Sequence, residues 1–186
     1  MKRVVDLIVA IFLLCFLSGP IFIIALLVKL SSAGPVFYWS DRVGNDNKIF
    51  KMCKFRTMRL DAPAVATHLL KDANRYLTPV GSFLRKFSLD ELPQLFNIIR
   101  GEMTFVGPRP ALFNQDDLIE LRTKKNVHTL VPGVTGWAQV NGRDELPIPV
   151  KVEFDAYYLK NRSLILDAKI MLITLLKVIN KEGVNH

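Results

Sequence analysis

The sequence predicts a mixed α/β fold, mostly helical, in which a membrane-inserted re-entrant helical hairpin precedes a small cytoplasmic domain with short strands and amphipathic interfacial helices. Three features of the 186 residues support this prediction. Residues 7–28 form an apolar run without charge, short segments of loosely alternating polarity follow, and residues 164–179 form an apolar, amphipathic tail. We therefore expect a membrane helix in residues 1–33 and a membrane-associated domain in residues 34–186.

The composition narrows the classes of partner and of chemistry. Hydrophobic residues make up 50% of the chain, which indicates a membrane contribution, and the net charge of +8 favours phosphates, nucleic acid or anionic lipid as partners. Cys15 and Cys53 lie in unlike surroundings without metal-ligand spacing, as is typical of a reduced, cytoplasm-facing chain. The scattered histidines argue against a zinc site or a serine-type triad, and the sequence has no Walker or Rossmann glycine loop.

The apolar run of residues 7–28 has the length of a membrane-spanning helix, which needs roughly 20 residues. A secretory signal peptide would explain the basic start and a cleavage site at Ser31–Ala33, but the run exceeds the usual apolar region of such peptides. A straight spanning helix would contain Ser18-Gly19-Pro20 at its midpoint. It would also leave basic residues on both sides of the membrane, which the positive-inside rule disfavours.

A re-entrant hairpin avoids both difficulties. If the helix breaks at Pro20, the chain enters one leaflet and returns, so that Lys2, Arg3 and Lys29 stay on the same side. The backbone groups freed at the break need hydrogen-bond partners inside lipid, and the Ser18 hydroxyl is a candidate. We therefore expect the membrane helix to break near Ser18 and Pro20.

Two strands are expected after the hairpin. Residues 36–39 are apolar and aromatic, which favours either a strand or an interfacial belt. After a turn around residues 44–47, residues 48–58 alternate loosely and predict a strand with its basic side chains on one side. These lysines and arginines either bind an acidic ligand or protect an exposed sheet edge from aggregation, and the sequence leaves both interpretations open.

The Ser88–Asn97 segment carries two adjacent carboxylates, Asp90 and Glu91, at an expected helix start. Pro93 has no amide hydrogen and is tolerated only in the first turn, so the helix is predicted to begin near Asp90. Apolar residues at helical spacing then predict a buried face, with Asn97 on the opposite, polar side. Asp and Ser are also favoured N-cap residues, so helix capping is the competing interpretation of the acidic pair.

Two further segments carry candidate binding residues. Pro108 and Pro110 restrict the backbone on either side of Arg109, and a stiff backbone that presents a guanidinium suits bidentate phosphate binding. An ordinary proline-rich loop with an exposed arginine is the alternative. Residues 131–144 form a glycine-punctuated loop in which three polar side chains are expected to line a pocket: Gln139, Asn141 and Arg143.

A carboxylate pair, a stiff arginine and a basic strand beside a membrane segment suggest phosphate chemistry at the bilayer surface. A carboxylate can attack a phosphoryl group when cations neutralise the charge of the phosphate. Two adjacent acids without a histidine cluster favour a hard, oxygen-bound ion such as Mg²⁺, and its expected protein ligands are Asp90 and Glu91.

The chain also resembles the bacterial sugar transferases, the monotopic polyprenyl-phosphate phosphoglycosyl transferases, in their small form that consists of the catalytic domain only. The resemblance runs from Lys2 to the C-terminal helix, and four motifs in the same order carry it: Lys54–Met58, Ser88–Asn97, Val106–Pro110 and Pro132–Arg143. One departure concerns the membrane helix, which the family breaks at Ser-Pro and which here contains Ser18-Gly19-Pro20.

The resemblance implies transfer of a sugar 1-phosphate from a UDP-sugar to undecaprenyl phosphate with release of UMP, as the first membrane step of glycan assembly. It implies that Asp90 attacks the β-phosphate and holds a phosphosugar intermediate, and that Glu91 helps to hold Mg²⁺. It assigns the neutralisation of substrate phosphates to Lys54, Arg85 and Arg109. It assigns contacts with nucleotide or sugar to Arg56, Gln139, Asn141 and Arg143.

The expected location is the bacterial inner membrane, with the catalytic domain of residues 34–186 on the cytoplasmic face. The expected partners are a UDP-sugar, undecaprenyl phosphate and the lipid bilayer, without nucleic acid. The main alternative is a non-enzymatic adaptor whose basic face binds anionic lipid or a partner protein. The sequence names neither the sugar nor the oligomeric state.

Overall fold

A computed structural model of the chain describes residues 2–63, 73–142 and 146–180. Its described α-helices are α1 (Lys2–Phe16), α2 (Ser18–Ser31), α3 (Gly81–Lys86), α4 (Gln94–Arg100), α5 (Asp116–Lys124), α6 (Trp137–Val140), α7 (Ile148–Asn161) and α8 (Leu164–Asn180). Its described strands are β1 (Phe37–Val43), β2 (Ile49–Phe55), β3 (Thr104–Val106), β4 (Ala111–Leu112) and β5 (Gly133–Thr135). The predicted mixed, mostly helical α/β class is confirmed.

The N-terminal apolar run forms two helices that bend by 64° where α1 meets α2. Pro20 lies in the first turn of α2, where its missing amide hydrogen has no helical acceptor to lose. The Ser18 hydroxyl donates to the carbonyl of Cys15 at 2.8 Å, which confirms Ser18 as a partner for the backbone at the break. Within the described ranges no single helix is long and apolar enough to cross a bilayer, whereas α1 and α2 together meet that criterion as a bent pair.

The first turn of α1 is bound to the rest of the domain. The Lys2 ammonium donates to Asp167 at 2.5 Å, to the Tyr158 hydroxyl at 2.9 Å and to a backbone carbonyl of β3 at 2.8 Å. Arg3 donates to two carbonyls at the end of α4, and the Thr104 hydroxyl donates to buried Asp6 at 2.5 Å. The basic residues predicted to flank the membrane segment therefore hold α1 on the domain.

Two small sheets lie within the domain. In the first, β1 pairs antiparallel with both β2 and β4, and Phe37 lies opposite Phe55 at one end of the β1–β2 pair. In the second, β3 and β5 pair in parallel. The prediction that the basic side chains of β2 share one side is wrong, because residues an odd number apart point to opposite faces of a strand. Lys51 is exposed and pairs with Asp41 at 2.9 Å, whereas Lys54 is half-buried on the other face.

Packing places the helical pair against this framework. Ala10 of α1 joins a core cluster with Met52 of β2 and Ile98 of α4, and Val28 of α2 joins another with Phe55 and Leu84. Elsewhere α1 and α2 expose large apolar side chains, among them Ile8, Phe12, Phe16, Phe22, Ile23 and Leu30.

The C-terminal helix α8 has one packed face and one exposed face. Ile170 is fully buried in the cluster formed by β3, α6 and α7, and Thr174 shares a hydrogen bond of 2.7 Å with Thr135 of β5. On the other side Ile165 and Leu172 are exposed. The apolar, amphipathic tail expected from the sequence therefore closes the core with one face and exposes the other.

Candidate active site

The acidic pair lies on a short 3₁₀ turn rather than in the first turn of an α-helix. Ser88 has left-handed geometry (φ 54°, ψ 22°), residues Leu89–Glu91 form the 3₁₀ turn, and Pro93 directly precedes α4. The prediction that the helix begins near Asp90 is therefore wrong: the α-helix starts only at Gln94, because Pro93 has no amide hydrogen to donate to the carbonyl four residues before it. Neither the turn nor α4 has a side-chain cap, so capping does not explain the acidic pair.

The predicted phosphate-binding cations surround the two carboxylates. The Lys54 ammonium lies 2.7 Å from a carboxylate oxygen of Glu91 and 3.8 Å from one of Asp90. A terminal guanidinium nitrogen of Arg109 lies 3.3 Å from the same Glu91 oxygen. The fold therefore gathers side chains from β2, from the turn and from the proline-flanked loop at one place.

Arg85 lies close enough to this group for its charge to influence Asp90. Its Nε donates to the hydroxyl of Thr57 at 2.9 Å, and Thr57 is itself buried. The Arg85 guanidinium is thus held by the residue that follows Arg56 in the first motif. Sequence reasoning did not assign any role to Thr57, although it lies within the Lys54–Met58 motif.

The electrostatic state of the site follows from its burial. Asp90 is 7% exposed, and this burial raises its pKa above the ordinary range of an aspartate. Lys54 opposes that rise, Glu91 adds to it, and Arg85 and Arg109 oppose it as well. Burial lowers the pKa of Arg85, and the charge of Asp90 works against that shift. With three cations around two carboxylates, the group carries one positive charge in excess, which suits a phosphate ligand.

Asn97 fixes the position of Lys54 relative to the acidic pair. Its side-chain oxygen accepts the backbone amide hydrogen of Cys53 at 3.0 Å, and its Nδ2 donates to the carbonyl of Lys51 at 2.8 Å and to Glu102 at 2.7 Å. The fully buried side-chain amide of Asn97 on α4 therefore makes the backbone hydrogen bonds with β2 that a neighbouring strand would otherwise make. The prediction that Asn97 lies on the exposed, polar face of its helix is wrong, because the edge of β2 needs hydrogen-bond partners there.

Two of the residues expected to contact nucleotide or sugar, Arg56 and Asn141, instead bind backbone carbonyls in their own parts of the fold. Arg56 is buried and its guanidinium donates to the carbonyls of Ser32 and Ala33 and to the Ser32 hydroxyl, so it binds the chain at the exit of α2. Asn141 donates to the carbonyl of Trp137 within its own helical turn at 2.7 Å.

Gln139 and Arg143 complete that predicted set. The side-chain amide of Gln139 is buried and makes no hydrogen bond within the described part of the chain. Arg143 lies outside the described residues. The roles of these residues as substrate contacts stay predictions.

The donors available to a metal ion are two carboxylates. Among the described residues no group of three or more Asp, Glu, His or Cys side chains lies together. Asp90 and Glu91 offer hard oxygen atoms, and Mg²⁺ is commonly held by one or two carboxylates together with substrate phosphates and water. The donor set therefore fits Mg²⁺ bound jointly with a phosphorylated substrate better than a cage made by protein side chains alone.

This arrangement can support nucleophilic chemistry at phosphorus. A carboxylate held beside cations can attack a phosphoryl group, because the cations reduce the repulsion between two anions and stabilise the charge on the equatorial oxygens. Asp90 is the buried member of the pair and lies beside Lys54, whereas Glu91 forms the shorter ion pairs. The geometry thus separates a carboxylate that can react from one that organises the cations.

Comparison with known proteins identifies the family. The bacterial sugar transferase family matches residues 1–181. An uncharacterized sugar transferase of Bacillus subtilis, EpsL, is 44% identical over 188 residues, which cover 100% of this chain and 91% of the relative.

Two further relatives carry names that state a reaction. The UDP-glucose:undecaprenyl-phosphate glucose-1-phosphate transferase of Escherichia coli is 41% identical over 95% of this chain and 40% of its own length. The UDP-N-acetylgalactosamine-undecaprenyl-phosphate N-acetylgalactosaminephosphotransferase of Aeromonas hydrophila is 36% identical over 98% of this chain and 44% of its own length. The match of the family over nearly the whole chain, together with the gathered motif residues, shows that this protein belongs to the bacterial sugar transferase family.

Proposed function

We propose that this protein transfers a sugar 1-phosphate from a UDP-sugar to undecaprenyl phosphate, releases UMP and thereby initiates the assembly of a glycoconjugate. The observation that carries the proposal is the pair Asp90 and Glu91, which the fold surrounds with Lys54, Arg85 and Arg109. The two relatives named for undecaprenyl-phosphate sugar-phosphate transfer support the same reaction class.

The proposed reaction has two displacements at the β-phosphorus of the UDP-sugar. In the first, a carboxylate oxygen of Asp90 forms a bond to this phosphorus, and the bond to the oxygen that bridges the α- and β-phosphates breaks. UMP leaves with that oxygen, and the sugar 1-phosphate remains on Asp90 as an acyl phosphate. In the second, a phosphate oxygen of undecaprenyl phosphate attacks the same phosphorus, which releases the carboxylate of Asp90 and forms the lipid-linked diphosphate sugar.

The cations have separate tasks in this scheme. Lys54 lies between the two carboxylates, so it lowers the pKa of Asp90 against the effect of burial and is placed to neutralise an entering phosphate. Arg109 can bind phosphate oxygens through its planar guanidinium while its link with Glu91 sets its direction. Arg85, which Thr57 holds, adds positive charge where the leaving UMP develops negative charge.

We also propose that Asp90 and Glu91 are ligands of Mg²⁺. Bound there, it would supply Lewis-acid stabilisation of the phosphate charge. Glu91 is suited to this task because its carboxylate lies beside the reacting aspartate, on the same Lys54 ammonium, and does not itself have to attack. The requirement is tested by measuring UMP release after chelation and after re-addition of Mg²⁺, where lasting activity in chelator would contradict it.

We further propose that α1 and α2 form a re-entrant hairpin in the bacterial inner membrane, with the domain on the cytoplasmic face. The 64° bend, the apolar side chains exposed on both helices and the attachment of both hairpin ends to the same domain support this orientation. Single cysteines placed at Val4 and at Leu30, in a chain with Cys15→Ser and Cys53→Ala, should react with a membrane-impermeant thiol reagent from the same side. Labelling from opposite sides would contradict the hairpin.

The decisive test of the enzymatic proposal is Asp90→Asn in the full chain. This change keeps the size of the side chain but removes the nucleophile, so UMP release should be lost while binding to vesicles that contain anionic lipid persists. Asp41→Asn is the matched control, because Asp41 is an exposed partner of Lys51 and its loss should leave UMP release unchanged. UMP release that survives Asp90→Asn would show that the covalent mechanism is wrong.

The non-enzymatic adaptor makes a different prediction. It requires vesicle binding by the unaltered chain without UMP release from any UDP-sugar. A screen that includes UDP-glucose and UDP-N-acetylgalactosamine, the donors in the names of two relatives, distinguishes the proposals and identifies the sugar at the same time.

A further inference from the structure

The loop that carries Arg109 is held by three successive backbone carbonyls, each through a different part of the chain. The carbonyl of Pro108 accepts the amide hydrogen of Gly133 at 2.9 Å. The carbonyl of Arg109 accepts a hydrogen bond from the Arg122 guanidinium at 2.8 Å. The carbonyl of Pro110 accepts one from Arg42 at 3.2 Å. The backbone of this loop is therefore fixed at the residue whose side chain reaches Glu91.

The middle contact comes from a buried ion pair that the proposed reaction does not otherwise use. Arg122 of α5 donates through Nε at 3.0 Å and through Nη2 at 2.7 Å to one carboxylate oxygen of Asp155 on α7. Arg122 is 8% exposed and Asp155 is 1% exposed. The remaining terminal nitrogen, Nη1, points the other way and binds the Arg109 carbonyl.

We propose that Arg122, held by Asp155, is a positioning residue that orients Arg109 toward the substrate phosphates. The planar guanidinium has a fixed angle between its donors, so Asp155 determines where Nη1 lies and Nη1 in turn determines where the Arg109 carbonyl lies. The inference rests on the proposed function, because it assigns to this pair a role in presenting a phosphate-binding arginine.

The pair acts through geometry rather than through charge. Arg122 and Asp155 neutralise each other inside the domain, so they add no net charge to the phosphate site. A pair that served stability alone would need no third donor aimed at the loop, and a buried ion pair is in any case a weak source of stability. All three nitrogens of the Arg122 guanidinium donate hydrogen bonds, and this is the arrangement that a residue needs in order to orient the Arg109 loop.

Replacing the pair by apolar residues separates the two roles. The variant Arg122→Met with Asp155→Leu leaves no unpaired buried charge, and such replacements often keep or increase stability. It removes the hydrogen bond to the Arg109 carbonyl. We expect the melting temperature to be kept and kcat/KM for the UDP-sugar to fall roughly tenfold, as is typical when a binding group is displaced by a fraction of an ångström.

A double-mutant cycle with Arg109→Ala tests whether the effect passes through Arg109. If the pair acts by orienting Arg109, its replacement should cost less than about twofold once the Arg109 side chain is absent. An unchanged tenfold cost in the Arg109→Ala background would overturn the inference, as would full activity of the apolar variant. Arg122→Lys, which keeps the charge opposite Asp155 but lacks the fork, provides the same cycle if the apolar variant fails to fold.

The matched control lies at the contact between the same two helices. Lys125, which directly follows α5, and Glu153 of α7 form an exposed ion pair at 2.6 Å that does not touch the loop. Lys125→Gln should change neither kcat/KM nor its dependence on Arg109. A loss equal to that of the apolar variant would mean that any weakening of the α5–α7 contact suffices, which would overturn a specific role of Arg122.

A second measurement does not depend on activity. Hydrogen–deuterium exchange of peptides that cover residues 105–112 should become faster in the apolar variant and stay unchanged in Lys125→Gln. Unchanged exchange in the apolar variant would overturn the positioning role even if the proposed reaction is correct. Conversely, absence of UMP release from the unaltered chain with every UDP-sugar, combined with the expected exchange result, would reject the proposed reaction and keep the structural inference.

Discussion

Asn97→Asp is a nearly isosteric change whose effect can be derived from three hydrogen bonds. The new side chain still offers an oxygen to the amide hydrogen of Cys53. It replaces the Nδ2 donor by a second carboxylate oxygen, which then faces two acceptors, the carbonyl of Lys51 and the carboxylate of Glu102. One partner is kept, and two are turned from attractive to repulsive.

The cost follows from these contacts. Each lost hydrogen bond removes about 0.5–1.5 kcal/mol, and a buried acceptor left without a partner adds its own penalty. For a site that is fully buried, we expect the free energy of unfolding to fall by roughly 3 kcal/mol at neutral pH. At about 2–4 °C per kcal/mol for a chain of this size, the melting temperature should fall by roughly 6–12 °C.

The pH dependence has a definite sign. Burial and the neighbouring carboxylate raise the pKa of the introduced carboxyl above its value in the unfolded chain. Ionisation of a group with a raised folded-state pKa costs nothing while both states are protonated, and this cost grows as the pH rises from the unfolded-state pKa to the folded-state pKa. The deficit of Asn97→Asp should therefore be smallest in acid and grow toward neutral pH.

Cys53 provides a local assay for this change. Its thiol is buried beside the contact with Asn97, and burial raises its pKa to about 11, so it should react slowly with thiol reagents in the folded chain. In a Cys15→Ser background, which removes the exposed thiol, labelling of Cys53 measures how often α4 separates from β2. We expect faster labelling in Asn97→Asp, together with reduced UMP release because Lys54 follows Cys53 directly.

Asn161→Asp is the control for this experiment. Asn161 is exposed and its Nδ2 donates to the carbonyl of Tyr157 at 2.9 Å, so the same chemical change is made where water can replace the lost bond. It should leave the melting temperature and the labelling rate close to those of the unaltered chain. If Asn97→Asp behaves like Asn161→Asp, the role assigned to Asn97 is refuted.

Two further predictions concern the acidic pair and the glycine-rich loop. Lys54→Gln removes the charge that most lowers the pKa of Asp90, so the acid limb of the pH profile of kcat/KM for UMP release should move to higher pH; a limb that stays or moves down would contradict the electrostatic assignment. Gly136→Ala would place a Cβ 2.1 Å from the carbonyl oxygen of Gly107, so the two segments must separate, and thermal unfolding should show a loss of about 2 kcal/mol. Gly19→Ala is its control, because a Cβ there meets no atom within 4 Å, and stability should change by less than about 1 kcal/mol; equal losses in the two variants would contradict the steric argument.

The parts of the fold that sequence reasoning predicted are those in which local chemistry dominates. Pro20 marks the region of the break in the apolar run, β1 and β2 follow from apolar composition and loose alternation, and α8 follows from its helical periodicity. The central candidate residues could be proposed from the sequence because Lys54, the acidic pair and Arg109 stand in motifs whose order is informative. No single motif shows that these residues lie close together, because it is the fold that brings them together.

The residues that sequence reasoning missed are polar side chains with distant partners. Asn97 binds the backbone of a residue 44 positions away, and Arg122 binds a carboxylate 33 positions away. Sequence reasoning assigns a polar residue on an amphipathic helix to solvent unless its hydrogen-bond partner is known. Hydrophobic periodicity gives no information about such a partner. The left-handed Ser88 is equally hidden, since residues other than glycine rarely adopt positive φ.

The bonds at both ends of the bent helical pair have a consequence for the lipid substrate in the proposed reaction. Lys2 and Arg3 attach the beginning of α1 to the domain, and Arg56 attaches the exit of α2. With its two ends bound, the pair cannot tilt or slide without carrying the domain along. In the proposed membrane orientation, Asp90 therefore keeps a constant distance from the bend of the hairpin, and undecaprenyl phosphate reaches it by lateral diffusion with its phosphate at headgroup level. Membrane thickness then becomes a variable of catalysis, because a hairpin of fixed depth responds to a thinner or thicker leaflet by moving the whole site relative to the lipid phosphates.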